Sequence, residues 1–281
     1  MNTAQTSNGS ALELPQMSKI QTFAAHNKKT IYSSDREVLA VYNNEQSERL
    51  LELSLSKKII SNFERLWNHE TYLFFTDISL KFKNLRLKDD EITKFEREQK
   101  DNVVLLRQIL PNEKATRNRN LQLLISEMSR FLEKNNLGNL DDLLINGEIS
   151  SDYTYYFNNN VWFEIFIYAI FTKLNRENHI IFRCDITGKS GTLHQVDTAM
   201  IAPMYTAIIE AKSKAFKKQE YMDLIGKKAD INADIAILIS GESNPHDNVN
   251  SDKFRNVFIF CDVFSSPFVT IFNQIKGIFP S

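Results

Sequence analysis

The chain has 281 residues, enough for one large domain or two modest ones, and 42% of them are hydrophobic, ample for a core. Lys and Arg number 34 against 35 Asp and Glu, a formal net charge of −1, which excludes a global field for nucleic acid or anionic membrane and leaves such binding to a local patch. The only two cysteines, Cys184 and Cys261, lie in apolar strand-like runs without CxxC or Cys/His spacing, so zinc is not indicated and a reducing, cytoplasmic setting is expected.

Residues 1–35 are polar and mixed and read as a tail, with at least the first fifteen disordered. The start, MNTAQTSNGSALELPQM, has neither the basic beginning nor the apolar centre of a signal peptide. The most apolar run, Val161 to Phe171, is eleven residues long and contains Glu164, short of the roughly 20 residues that span a bilayer, so no membrane partner is expected.

Residues 36–150 read as a mostly helical accessory domain. From Asn44 onward, Leu50, Leu51, Leu55, Ile59, Phe63 and Leu66 fall near one side of a long helix, with Asn43 or Asn44 as its cap. The stretch TYLFFTDISLKFKNLRL changes to β-rich composition and predicts a hairpin within 71–86, turning around Asp77. Asp89, Asp90 and Glu91 open a helical piece through Phe95, favoured there by the helix dipole, and NVVLLRQIL follows as an apolar segment. A further helix, Asn118 to Asn136, buries Leu121, Leu124, Ile125, Met128 and Leu132 and ends near Gly138.

The polar, aromatic run GEISSDYTYYFNNN places the boundary, so that 151–281 forms the second domain. VWFEIFIYAIFTKLN is a helix apolar nearly all round and therefore buried, with Glu164 inside it. The strands HIIFRCDI, LHQVDTAMI and 205–211 follow, then the helix KSKAFKKQEYMDLIGKKADI, the strands ADIAILIS and NVFIFCDV, and the closing helix SPFVTIFNQIKGIF. That order predicts an α/β fold with a mixed sheet flanked by helices.

Charges sit where strands should be apolar. Strand side chains alternate faces, so Glu210 and Lys212 project together, with the Ala211 carbonyl close by. If strand 193–201 pairs with 205–211 through the connection at Ala202 to Met204, Asp197 comes alongside Glu210. Two adjacent carboxylates repel, and a bound cation or a shared proton resolves them. Oxygen ligands suit Mg²⁺ or Mn²⁺ and phosphoryl chemistry. The plainer alternative is a salt-bridged cluster at a strand end. Glu164 has its own plain reading, a first-turn helix acid favoured by the dipole. Lys214, Lys217 and Lys218 form either a solvated helix face or a track for a phosphate backbone. His194 is expected on the strand face opposite Asp197, in a packing or edge role. His246 lies in a polar loop.

With Glu164 in a helix, then Asp197, then Glu210-Ala211-Lys212, residues 155–262 resemble the PD-(D/E)xK, or restriction-endonuclease-like, nuclease superfamily. Within it they look most like the nuclease half of CRISPR-ancillary endonucleases whose other half is a CARF ligand sensor; residues 36–150 do not read as a CARF domain. Gln195 stands where the resemblance leads one to expect an acid. The resemblance implies that Asp197, Glu210 and the Ala211 carbonyl bind Mg²⁺ or Mn²⁺ and that Glu164 holds a metal-bound water. Lys212 would orient or deprotonate the attacking water and offset charge on phosphorus, while Gln219 hydrogen-bonds the nucleophile or scissile phosphate. The implied activity is hydrolysis of nucleic-acid phosphodiesters by an endonuclease, on DNA before RNA, in defence against foreign DNA. The alternatives are a silent nucleic-acid-binding or assembly protein, or a nuclease gated by a ligand or partner of residues 36–150, the region also expected to make any homodimer or partner contact.

Overall fold

A computed structural model describes residues 22–23, 28–33, 38–43, 45–100, 103–174, 179–202, 204–243 and 256–279. His246, Asn44 and the first fifteen residues lie outside it. In chain order the elements are β1 (Thr22–Phe23), β2 (Lys28–Ser33), β3 (Val38–Asn43), α1 (Glu45–Glu52), α2 (Ser54–Leu66), α3 (His69–Glu98) and α4 (Val103–Lys134). Then come β4 (Leu144–Ile145), β5 (Glu148–Ile149), α5 (Ser151–Asn158), α6 (Val161–Leu174), β6 (His179–Thr187), β7 (Leu193–Ile201), β8 (Thr206–Lys212), α7 (Lys218–Ile231), β9 (Ile235–Ser240), β10 (Val257–Phe260) and α8 (Phe268–Lys276). The fold is mixed α/β, as the order of elements predicts.

Eight strands form one sheet in the order β1-β2-β3-β6-β7-β8-β9-β10. From β1 to β8 the neighbours are antiparallel; β8, β9 and β10 run parallel. The central strand β9 is buried along its whole length, as its unbroken apolar run requires. Alternation divides the sheet into two faces: Ala207, Ile209, Ile237 and Ile239 join the core shared with the helices α2, α3, α5, α6 and α8, while Ile208, Ala236 and Leu238 pack with Leu224 and Ile231 of α7.

Two expectations for the first half are overturned. Residues 71–86 are not a hairpin; they belong to the 30-residue helix α3. Tyr72, Phe75, Ile78, Ser79, Phe82 and Leu85 recur every three or four residues and are all buried, the spacing of one helix face. The exposed Leu73, Leu80 and Leu87 on the outer side blurred that period and imitated alternation. The helical piece expected to open at Asp89 lies inside α3, while the apolar segment after it and the helix expected from Asn118 are one helix, α4, which runs through Pro111. One core cluster contains Leu55, Ile59, Phe75, Phe82 and Leu124 together with Trp162, Phe166 and Ile271. Strands β1 and β2, inside the expected tail, extend the same sheet through β3, which pairs with β6.

The helix expected from residue 44 is two helices, parted at Leu53. Asp142 accepts the Ser54 N–H at 2.8 Å and the Tyr153 hydroxyl at 2.8 Å, capping α2 from a distant loop. Among the described residues no helix is long and apolar enough to cross a membrane.

Helix α3 also fixes the end of the charged strand. The Tyr72 hydroxyl donates to the Ser213 carbonyl at 2.6 Å, just past β8, and the Gly241 N–H donates to the Lys212 carbonyl at 2.9 Å. Gly241 has no room for a side chain, since a Cβ there would lie 2.5 Å from the Tyr72 ring and 2.6 Å from the Ser213 carbonyl oxygen. Burial and the nearby Glu242 push the Tyr72 phenol up to about 12, so it stays a donor. Tyr72→Phe leaves the Ser213 carbonyl without that buried donor and is expected to cost about 1–3 kcal/mol in urea unfolding; an unchanged midpoint and slope would mean that water replaces the hydroxyl.

Candidate active site

The sheet opens where its charges begin. β7 and β8 pair from Ile201↔Thr206 to Thr198↔Ile209, and there the ladder stops. One position further on, Asp197 stands opposite Glu210, and the Asp197 Oδ2 takes the Ala211 N–H at 2.8 Å in place of a backbone carbonyl. Glu210 and Lys212 project together, as alternation requires, with the Lys212 Nζ 3.2 Å from Glu210 Oε2 and 3.9 Å from Asp197 Oδ2. Helix α6 brings Glu164 against the same group, and Asp197 and Glu210 both act on its charge. Four of the residues that the sequence singles out, Glu164, Asp197, Glu210 and Lys212, are thus assembled from α6, β7 and β8.

Two further cations complete the cluster. Arg183, on β6, has its Nε 3.1 Å from Glu164 Oε2, in a pair whose side chains are only 11% and 9% exposed. The contact is ionic but off line, so Glu164 Oε2 has no hydrogen-bond partner among the described residues. Arg183 is held at φ +44°, left-handed for a non-glycine residue in mid-strand. The turn it imposes breaks the alternation of β6: Ile181, Cys184 and Ile186 pack on the α7 side, with Phe182 on the other. The Arg183 carbonyl is turned to the Ser47 hydroxyl of α1 at 2.9 Å, and its guanidinium lies 5.4 Å from the Tyr155 ring centre. Lys227, from α7, donates to Glu210 Oε1 at 2.6 Å and to the Gln195 carbonyl at 2.6 Å. Lys227 lies on the same helix side as Leu224 and Ile231, three residues before it and four after, a spacing that is only a weak hint in the sequence.

Burial dominates the electrostatics. It raises the Glu164 carboxyl well above the ordinary range, Asp197 adds to the effect, and Arg183 and Lys212 offset part of it. Burial and then Glu210 push Asp197 up to about 6, against the pull of Lys212, the Ala211 N–H and Arg183. For Lys212 burial alone would lower the pKa, but Asp197 and Glu210 outweigh it and hold the ammonium above its ordinary value. Lys212 is therefore a charged donor in this state.

The oxygen donors of Asp197 and Glu210 are those a hard divalent cation uses, and the raised carboxyl of Asp197 and the Oε2 of Glu164, which lacks a hydrogen bond among the described residues, are groups such an ion would relieve. Among the described residues no three His, Cys, Asp or Glu side chains converge in a metal-holding geometry, so a site here rests on two carboxylates with backbone or water oxygens. Ala211 presents its N–H to Asp197.

Gln219 does not join the cluster. It is exposed on the first turn of α7 and donates to Asp223 at 2.7 Å, because that helix starts at Lys218, several residues later than the composition suggests, and turns its first residues outward. Lys214, Lys217 and Lys218 are exposed, open to solvent or to a phosphate chain alike. His194 bonds Asp230 Oδ2 at 2.6 Å, and the Ser190 hydroxyl meets the same oxygen at 2.6 Å. The carboxylate lies between serine and histidine, so no imidazole is set to take the serine proton; the trio ties the β6–β7 turn to α7. The Ser190 and His194 contacts hold Asp230 down at about 2.

No protein-family model matches the chain, and no curated protein matches it in sequence. Among solved structures it is similar to protein VC1899 from Vibrio cholerae, with a TM-score of 0.45 and 14% identity over 85% of this chain and 59% of that one. It is also similar to Can2 from Sulfobacillus thermosulfidooxidans, solved in complex with cyclic tetra-adenylate, with a TM-score of 0.37 and 15% identity over 54% of this chain and 45% of that one. The chain thus spans less than two thirds of either structure. Likeness of this degree fixes neither a family nor an activity.

The raised Asp197 sets a pH window. The unfolded chain gives up this proton near pH 4, the folded chain near pH 6, so the folded state binds more protons in between and loses stability as pH rises through that interval. Asp197→Asn is expected to stabilise the protein by about 1–3 kcal/mol at pH 8 and by nothing below pH 4, in urea unfolding across that range. A gain of equal size at both ends would show that buried charge is not its source.

Proposed function

We propose that the chain is a divalent-metal-dependent nuclease that hydrolyses phosphodiester bonds within nucleic acid, with DNA as the first substrate to test. The observation that carries this reading is the meeting of Asp197, Glu210 and Lys212 at the opened ends of β7 and β8, with Glu164 buried beside them. Buried carboxylates whose charge is unfavourable are kept where a reaction uses them more often than where stability alone is at stake.

In this reading Asp197 and Glu210 hold Mg²⁺ or Mn²⁺, with the Ala211 carbonyl as a further oxygen. When bound, the ion supplies Lewis-acid polarisation of the phosphate and a more acidic water. Lys212, as an ammonium, orients the attacking water and faces the negative charge that gathers on the phosphoryl oxygens. Glu164, held by Arg183, accepts a hydrogen bond from water on the opposite side. Lys214, Lys217 and Lys218 provide a local basic patch in a chain of nearly neutral total charge and would run along the phosphate backbone.

One observation favours a second reading. Every carboxylate of the cluster already has a cation: Arg183 for Glu164, Lys212 for Asp197 and Glu210, and Lys227 for Glu210. A cluster so balanced would also suit a protein that binds nucleic acid without hydrolysing it.

A panel of linear and circular, single- and double-stranded DNA and RNA, incubated with Mg²⁺, Mn²⁺ or EDTA, separates the two. Products that need metal and fall at least about a hundredfold in Glu210→Ala and Lys212→Ala, with folding intact, are the expected result. Salt-sensitive binding without any metal-dependent product would establish the binding protein instead.

A further inference from the structure

Lys227 occupies the place on Glu210 that an added cation would take. Its Nζ lies 2.6 Å from Glu210 Oε1, while Lys212 lies 3.2 Å from Oε2, so both oxygens of this carboxylate are engaged by ammonium groups. The Glu210 side chain is 9% exposed, so a third positive group would have to share oxygens that ammonium groups already engage. A divalent ion in direct contact with Glu210 would stand against both ammonium groups, and that repulsion favours the departure of one.

Lys227 is the one placed to leave. Lys212 is shared between two carboxylates and rises from the motif strand itself. Lys227 reaches across from α7 and ends on one carboxylate oxygen and the neutral Gln195 carbonyl. The charges point the same way. With all three carboxylates ionised, as a bound divalent ion would hold them, Glu164, Asp197 and Glu210 match Arg183, Lys212 and Lys227 in charge. A divalent ion in place of Lys227 leaves one positive charge in excess, which is the charge of one phosphodiester; with Lys227 retained the excess is two, disfavoured in a buried setting. Loading of metal and arrival of substrate are thereby tied together, and the tie is reciprocal.

We propose that Lys227 is a built-in counter-ion that competes with the divalent cation for Glu210 and is released toward a substrate phosphate when the cation loads. The inference rests on the metal-dependent nuclease reading above.

Manganese binding without nucleic acid, measured by isothermal titration calorimetry, tests it on the full chain. Lys227→Met is expected to bind Mn²⁺ about tenfold more tightly than the unaltered protein, and Lys227→Arg, which keeps the charge, about equally. In the unaltered protein Mn²⁺ should also tighten binding of a phosphorothioate DNA that resists cleavage, by a larger factor than in Lys227→Met. Thermal unfolding of both variants shows that they are folded. Affinity for Mn²⁺ that is equal or weaker in Lys227→Met overturns the counter-ion role and leaves the nuclease reading standing. Failure of the unaltered protein to bind Mn²⁺ any better than Glu210→Ala overturns the nuclease reading itself, and this proposal with it.

Discussion

Three carboxylates drawn into one poorly solvated group must each find a positive partner, and that requirement organises the second half of this chain. No single element can meet it. Glu164 comes from α6, Arg183 from β6, Asp197 from β7, Glu210 and Lys212 from β8, and Lys227 from α7. Pairing an ion in such surroundings roughly cancels its desolvation, whereas removing a cation strands a buried carboxylate at a cost of about 3–5 kcal/mol. The cluster therefore enforces the arrangement of five elements more than it stabilises the fold.

The geometry around it bears the marks of that demand. Arg183 adopts a left-handed conformation that costs about 1–2 kcal/mol for a residue with a Cβ, and the outlay is offset by what the turn achieves: its side chain reaches Glu164 and its carbonyl reaches Ser47. The ladder between β7 and β8 gives up its last rung so that a carboxylate can take the Ala211 N–H. Around these departures the packing is conventional, with alternating strands, an apolar helix α6 pressed on the sheet and aromatic rings filling the space toward α3. Departures from regular strand geometry gathered at one charged group are what a functional site looks like against its scaffold.

Much of this was legible in the sequence because it depends on local periodicity. The alternation of TAIIEAK places Glu210 and Lys212 together, and β6 through β9 and α6 follow from runs whose period or length has one simple reading. What was not legible depends on distant partners. Arg183 reads as an ordinary strand residue, and only the paired β7 and the abutting α1 show why its backbone is reversed. Lys227 belongs to a series of helix lysines whose individual surroundings the series does not disclose. The hairpin expected at 71–86 failed for the opposite reason: aromatic and leucine side chains on both sides of α3 supplied a false alternation, and the buried spacing of Phe75, Ile78, Phe82 and Leu85 decided the matter in favour of helix. Gln219 was carried to the cluster by analogy of position, and the late start of α7 turned it outward.

The place of β3 has a consequence for how the molecule comes into being. β3 lies beside β6, although the two are separated in sequence by all the helices from α1 to α6; Ser47 and the Arg183 carbonyl that it caps are 136 residues apart. On a ribosome adding roughly 5–20 residues per second, the first strands are finished about seven to thirty seconds before the strand that completes them emerges. They wait through that interval with one edge unpaired, the condition in which strands recruit foreign partners. The reversed backbone at Arg183 gains its Ser47 partner only once early and late segments of the chain have met.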